Sequence, residues 1–317
     1  MKRAVLVAAI AALATGALAA EMSYRLAPQP VAPGTYIFEG TREYFSRGNG
    51  GNIVNTGFIV TDAGIVVIDT GPSAAYGRQM RQQIAQLSDQ PIVLVVDTHF
   101  HPDHFLGNQA FADVPVAASA ETAQAIAEQG QSLAENMYRL AGDWMLGTEP
   151  MPPHQLIGDE TRQIGGHRLR FITLAGHTHS DLMVLDETTK VLFAGDLVFH
   201  DRTPTTPHAD IATWLAGLEK LDKLDFAVLV PGHGPIARDH RPVAQTADYL
   251  RWLSALLEQC AQQGLSMTEV MKRPIPERFQ ALALARDEFQ RSVVHLYPDV
   301  EARALPALLQ PKSNTAP

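Results

Sequence analysis

Three histidines and an aspartate fall within six consecutive residues, His99-Phe100-His101-Pro102-Asp103-His104, directly after the apolar run Ile92 to Asp97. Divalent zinc favours imidazole nitrogen and carboxylate oxygen, and the end of a buried strand can aim several such side chains into one pocket. Four candidate ligands exceed what one catalytic zinc takes while keeping a position open, so the segment points to two metal ions. Three later segments present one ligand each: Ala175-Gly176-His177-Thr178, Phe193-Ala194-Gly195-Asp196 and Pro231-Gly232-His233-Gly234. Glycine beside each ligand lets the backbone turn sharply with the side chain directed inward. Upstream, Val66-Val67-Ile68-Asp69-Thr70-Gly71 ends a strand on another carboxylate.

The pattern around these segments alternates. Strands are expected at Thr35 to Glu39, Asn52 to Val60, Gly64 to Asp69, Ile92 to Asp97 and Ala110 to Pro115. A second run is expected at His167 to Leu174, Asp181 to Asp186, Val191 to Asp196 and Ala227 to Pro231. Helices are expected at Ala75 to Leu87, Ala120 to Gln129, Ser132 to Met145, Ile211 to Leu221 and Ala244 to Gln263, with a frayed tail at Lys312 to Pro317. Two strand-rich halves with helices outside imply two sheets packed face to face under helical layers. The expected division is an N-terminal segment at 1–19, a main two-sheet domain at 20–239 and a helical C-terminal extension at 240–317 packed on the same domain.

Lys2 and Arg3, the apolar stretch Ala4 to Leu18 and the small residues Ala17-Leu18-Ala19 read as a cleaved export signal, which places the protein in the periplasm. No other apolar run is long enough for a membrane span. The formal net charge of −9, about −11 without Lys2 and Arg3, disfavours nucleic acid and anionic membranes as partners. The single cysteine, Cys260, excludes an internal disulfide and reads as a small buried helix residue.

The ordered set HxHxDH, GHT, AGD and PGHG, preceded by VIDTG, resembles the metallo-β-lactamase superfamily over Thr35 to about Pro235. The resemblance implies an α+β chain folded as an αββα sandwich with a helical C-terminal extension. It implies two zinc ions: His99, His101 and His177 on the first, Asp103, His104 and His233 on the second, and Asp196 between them. Asp69 would support the ligand loop from behind. The other histidines read as loop or core residues, with His208 and His179 the foremost exceptions. On this assignment a metal-bound hydroxide attacks an acyl carbon, with Asp103 orienting it and helping to move its proton.

Position 196 is Asp, whereas lactamases with a cysteine ligand would show Cys there. The centre is thus similar to the glyoxalase II type. His101 stands where flavodiiron oxidoreductases would carry Glu. Further stretches, Gly50 to Thr56, His104 to Gln109, Asn136 to Leu140 and Pro204 to Asp210, resemble the quinoprotein relay system zinc metallohydrolases. That resemblance implies a link to a dehydrogenase system using pyrroloquinoline quinone (PQQ). The expected function is an exported dizinc hydrolase of an ester, thioester or lactone-like acyl compound. The alternatives are a metal-binding accessory protein of a quinoprotein system without turnover, a β-lactamase-type activity, and an iron-dependent oxygenase. Asn136 to Met145 reads either as a roof over the pocket or as an amphipathic core helix. Gly48 to Gly51 reads either as a flap or as a turn.

Overall fold

The computed structural model describes residues 22–308; the export segment and the tail from Lys312 lie outside them. In chain order it contains β1 (Gln29–Ala32), β2 (Thr35–Phe38), β3 (Thr56–Thr61), β4 (Gly64–Ile68), α1 (Ala74–Leu87), β5 (Ile92–Val96), α2 (Pro102–Phe105), β6 (Val116–Ala118) and α3 (Ala120–Ala141). Then come β7 (Gln155–Leu156), β8 (Glu160–Ile164), β9 (His167–Leu174), β10 (Asp181–Asp186), β11 (Val191–Phe199), α4 (Ile211–Leu221) and β12 (Val228–His233). Four helices close the chain: α5 (Arg241–Gln262), α6 (Met267–Met271), α7 (Glu277–Gln280) and α8 (Ala285–Leu308).

Strands β1 to β7 form one sheet in sequence order, and β12-β11-β10-β9-β8 form the other. β4 shows why they stack. Ile65, Val66, Val67 and Ile68 are all buried, and successive strand residues point to opposite faces. Val66 and Ile68 join Leu94, Val96, Phe171, Val184 and Phe193 between the sheets. Ile65 and Val67 pack outward on Tyr76, Met80 and Ile84 of α1. On the other side, Leu192 and Ala194 of β11 meet Trp214 of α4, Leu250 and Leu253 of α5, and Phe289 and Val293 of α8. Each such burial contributes about 1.5–3 kcal/mol, so strands apolar on both faces require covering layers on both. The αββα sandwich with helices after β12 is what these layers build. Among the described residues no helix is long and apolar enough to cross a membrane.

Several boundaries differ from expectation. Residues 52–55 precede β3 as loop, where Asn55 spends its side chain on backbone groups. Residues 108–111 form a 3-10 turn, and the strand expected at Ala110 to Pro115 begins at Val116. The two helices expected at Ala120 to Gln129 and Ser132 to Met145 are one, α3, which runs through Gly130; a Cβ there would lie 2.9 Å from Pro150. Glycine is kept there for close packing, at the cost of helix propensity. β11 continues past Asp196 to Phe199.

Candidate metal centre

The ligand segment begins where β5 ends. Pro102 opens α2 and His101 caps it in an extended conformation, so His99, His101, Asp103 and His104 leave the backbone in diverging directions around a tight corner. His177 lies in the turn between β9 and β10, Asp196 inside β11 and His233 at the last position of β12. Gly195 takes φ +52 at an irregularity in the β11–β12 ladder, which turns Asp196 toward the pocket. Gly232 clears the way: a Cβ there would sit 1.9 Å from Asp196 Oδ1.

All seven sequence-predicted ligands come together and all are buried, from 0% exposed for His99 to 7% for His101. They form two groups, His99, His101, His177 and Asp196, and Asp103, His104 and His233, with the ligand atoms of each group within 4.8 Å of one another. In the first group His101 Nδ1 is 3.1 Å from His99 Nε2 and 2.9 Å from His177 Nε2. Asp196 Oδ2 is 3.3 Å from His177 Nε2 and 3.9 Å from His99 Nε2. In the second, Asp103 Oδ2 is 3.4 Å from His233 Nε2 and 3.9 Å from His104 Nε2. Asp196 faces this group as well, Oδ1 lying 3.2 Å from His104 Nε2 and Oδ2 3.2 Å from His233 Nε2.

These spacings fit metal. Tetrahedral zinc with bonds of about 2.0–2.1 Å holds its ligand atoms roughly 3.3 Å apart. Asp103 Oδ2, His104 Nε2 and Asp196 Oδ1 are buried without a hydrogen-bond partner. Orphaned polar atoms of this kind are costly unless a cation satisfies them.

The far sides of the rings are held. Asp69 accepts hydrogen bonds from Thr98 N at 2.8 Å, from Thr98 Oγ1 at 2.9 Å and from His104 Nδ1 at 2.8 Å. It adopts φ +56, a conformation aspartate tolerates better than most residues. Thr98 Oγ1 lies 3.1 Å from His99 Nδ1. His233 Nδ1 donates to the Ile53 carbonyl at 2.7 Å, and the Asn55 amide bonds Pro231 O and Gly234 O on either side of His233. His101 Nε2 meets His208 Nδ1 at 2.8 Å. Thr98 and Asn55 were given no role from the sequence, since neither is a metal-ligand type. His208 was singled out only among the remaining histidines. His179 is exposed and stands apart from both groups.

With only the chain's own charges present, burial holds the His99, His101 and His177 imidazoles well below the usual histidine range, which keeps their lone pairs available. Burial also opposes charge on His104, but Asp69, Asp196 and Asp103 together push it well above that range. Burial works against the Asp196 carboxylate, yet His233, His104 and His177 hold its pKa well below the usual value. Burial first, then the positive charges of His295, Arg291 and His179, lower His208.

The two segments read in alternative ways are packed parts of the fold. Met137, Ala141 and Met145 are buried with Phe100 and Phe105, while Tyr138 faces outward. Gly50 is fixed between the Tyr24 hydroxyl, which bonds its carbonyl at 3.1 Å, and the Trp144 ring, 2.5 Å from where a Cβ would lie.

A profile of the family described as the Metallo-beta-lactamase superfamily matches residues 49–233. The chain is 22% identical to a linear primary-alkylsulfatase of a Pseudomonas species over 254 residues, 66% of this chain and 48% of that protein. It is 27% identical to an atrochrysone carboxyl ACP thioesterase of Paecilomyces divaricatus over 183 residues, 57% of this chain and 50% of that one. The chain thus spans about half the length of these curated relatives. Among solved structures, a metallo-beta-lactamase from Pontibacter korlensis superposes with a TM-score of 0.60 at 26% identity, covering 72% of this chain and 99% of that one.

Proposed function

The chain belongs to the metallo-β-lactamase superfamily, and on that premise we propose that it is an exported dizinc hydrolase of a small ester, thioester or lactone-like acyl compound. The observation that carries this reading is the shared carboxylate: Asp196 directs one oxygen to His177 and His233 and the other to His104, so two groups of donors meet on it. Bound zinc would supply a Lewis acid for an acyl carbonyl and lower the pKa of water to about 7.

The chain's own residues do the rest. Asp103 would hold metal through Oδ2, which faces His233 and His104, and its carboxylate stands where it would help to orient a water at the centre. Asp69, Thr98 and the Ile53 carbonyl fix which ring nitrogens of His104, His99 and His233 face inward. The buried walls exclude bulk water and strengthen each electrostatic contact. Similarity to an alkylsulfatase and a thioesterase, two hydrolase names, favours hydrolysis over an accessory role without turnover. Export and the link to a PQQ-dependent dehydrogenase system rest on the N-terminal segment and the motif stretches alone.

The test is zinc analysis of purified protein with a panel of esters and thioesters. Two zinc equivalents and turnover that His101→Ala or Asp196→Ala abolishes are expected. A protein without zinc, inert on the whole panel, overturns the reading.

A further inference from the structure

Four strands end the two sheets: β1 and β7 in one, β12 and β8 in the other. An open strand edge presents unpaired N–H and C=O groups, and proteins blunt such edges against pairing with other chains. β1 carries Pro30 and a break in register between Pro30 and Ala32. β7 is only two residues long. In β12, Leu229 exchanges backbone bonds of 2.8 and 3.0 Å with Ala237. β8 has none of these devices: it runs five residues without proline, in unbroken register with β9.

Gly165 and Gly166, at φ +49 and +86, form the two-residue turn that leads from β8 to β9. In such a hairpin the flanking pair, Ile164 and His167, exchanges both backbone bonds, and bonded pairs then alternate with unbonded ones. Arg162 with Leu169 and Glu160 with Phe171 are the next bonded pairs, so the N–H and C=O of Thr161 and Gln163 point away from β9. The Arg168 carbonyl, opposite Gln163, accordingly accepts from Glu187 N instead of from β8. Thr161 and Gln163 are exposed, and among the described residues nothing bonds their backbone groups.

The charges on this edge match themselves. Glu160 and Arg162 share one face of β8 on either side of Thr161 and form an ion pair open to solvent. One acid and one base placed so make the strand complementary to its own antiparallel copy. With Thr161 opposite Thr161 of a second copy, those two residues exchange N–H···O bonds. Glu160 then faces Arg162 of the second copy and Arg162 faces its Glu160, at the unbonded positions where side chains approach most closely. Centring the pair on Gln163 would set Arg162 against Ile164 and leave both charges without an opposite partner.

We propose that two copies of this chain associate through β8, antiparallel about Thr161, joining their two five-stranded sheets edge to edge. Glu160 and Arg162 of the two copies then alternate in sign around the twofold axis. A twofold contact closes on itself, so it consumes the open edge without recruiting further chains. Pairing along one short strand falls at the small end of specific interfaces, below about 1,200 Å², so a dimer that dissociates at roughly micromolar concentration is expected. The inference stands on the sheet edge alone and is independent of what the metal centre does.

The test is sedimentation equilibrium of zinc-loaded protein over about 1–500 µM, across which wild type is expected to pass from monomer to dimer. Thr161→Pro removes only an outward N–H and leaves the ladder to β9 whole, so it is expected to stay monomeric. Arg162→Glu and Glu160→Arg are each expected to stay monomeric too, because like charges then face each other across the axis. Mixed in equal amounts, these two charge variants are expected to form a heterodimer, since every acid again meets a base. The double variant Glu160→Arg, Arg162→Glu is expected to dimerise as wild type does. Circular dichroism and zinc content matching wild type show that each variant is folded. A wild type monomeric at the highest concentration, single variants that dimerise alone, or a mixture and a double variant that stay monomeric overturn the proposal.

Discussion

His101 Nε2 lies 2.8 Å from Nδ1 of His208, 107 residues further along the chain. A metal held by His101 Nδ1, which faces His99 and His177, would leave Nε2 to carry the proton and donate it to His208. His208→Ala is expected to weaken metal affinity at the His99, His101 and His177 group by about 10–100-fold. His208→Asn is expected to lose less, because its side-chain oxygen can stand near Nδ1. Competition against a zinc chelator measures both, and equal affinities for wild type and His208→Ala would refute the role.

Asp69 accepts three hydrogen bonds from Thr98 and His104, so its removal acts on the second metal group. Asp69→Ala leaves a buried backbone N–H unpaired, a cost of about 1–3 kcal/mol in stability. Asp69→Asn can keep the Thr98 N–H bond but turns an amide toward His104 Nδ1–H. It is expected to be the more stable of the two, while both lose zinc affinity at that group by roughly 10–100-fold. Urea unfolding with zinc counting separates the two effects.

Gly232→Ala replaces no ligand, yet its new carbon would fall 1.9 Å from Asp196 Oδ1. Either the strand or the carboxylate must move, and overpacking costs about 1–3 kcal/mol. Zinc content is expected to fall in both groups together, because Asp196 faces both. Secondary structure by circular dichroism should persist. A variant that still holds wild-type zinc would show that Asp196 tolerates the displacement.

The ligand set was legible because chemistry confines it to a few residue types, and the glycines beside His177, Asp196 and His233 mark where backbone must turn. His208 was harder to place. Its role depends on α8 holding the preceding segment through Ser292, a contact between residues 86 positions apart that no local pattern encodes. The continuity of α3 through Gly130 was hidden for a related reason, since helix propensity is local and the Pro150 ring that Gly130 packs against is not. β4 announced itself by four consecutive buried apolar residues. β7, two exposed residues long, carried no periodicity to detect.

Asp181 offers a pH signature. Burial, countered in part by Thr178, raises its carboxyl to about 7 from an ordinary value of 3.8. The countering donors are visible: the Thr178 backbone N–H reaches Asp181 Oδ2 at 3.0 Å and the Thr178 hydroxyl reaches Oδ1 at 2.8 Å. Between pH 3.8 and about 7 the folded state therefore holds a proton that the unfolded state has lost, and this group's contribution to stability falls as pH rises. In metal-free protein, Asp181→Asn is expected to remove that fall. It should be at least as stable as wild type at pH near 8, by urea midpoints compared with those near pH 5. A wild type that outlasts the variant more at the higher pH contradicts the assignment.

His99, His101, Asp103 and His104 hang from the sheet containing β5, whereas His177, Asp196 and His233 hang from the sheet containing β11. A cation pair gripped by both would rivet the sandwich along one rim. Occupancy and closure then become a single equilibrium, in which stripping the ions loosens the slabs at the mouth first while the greasy seam behind keeps the opposite rim shut.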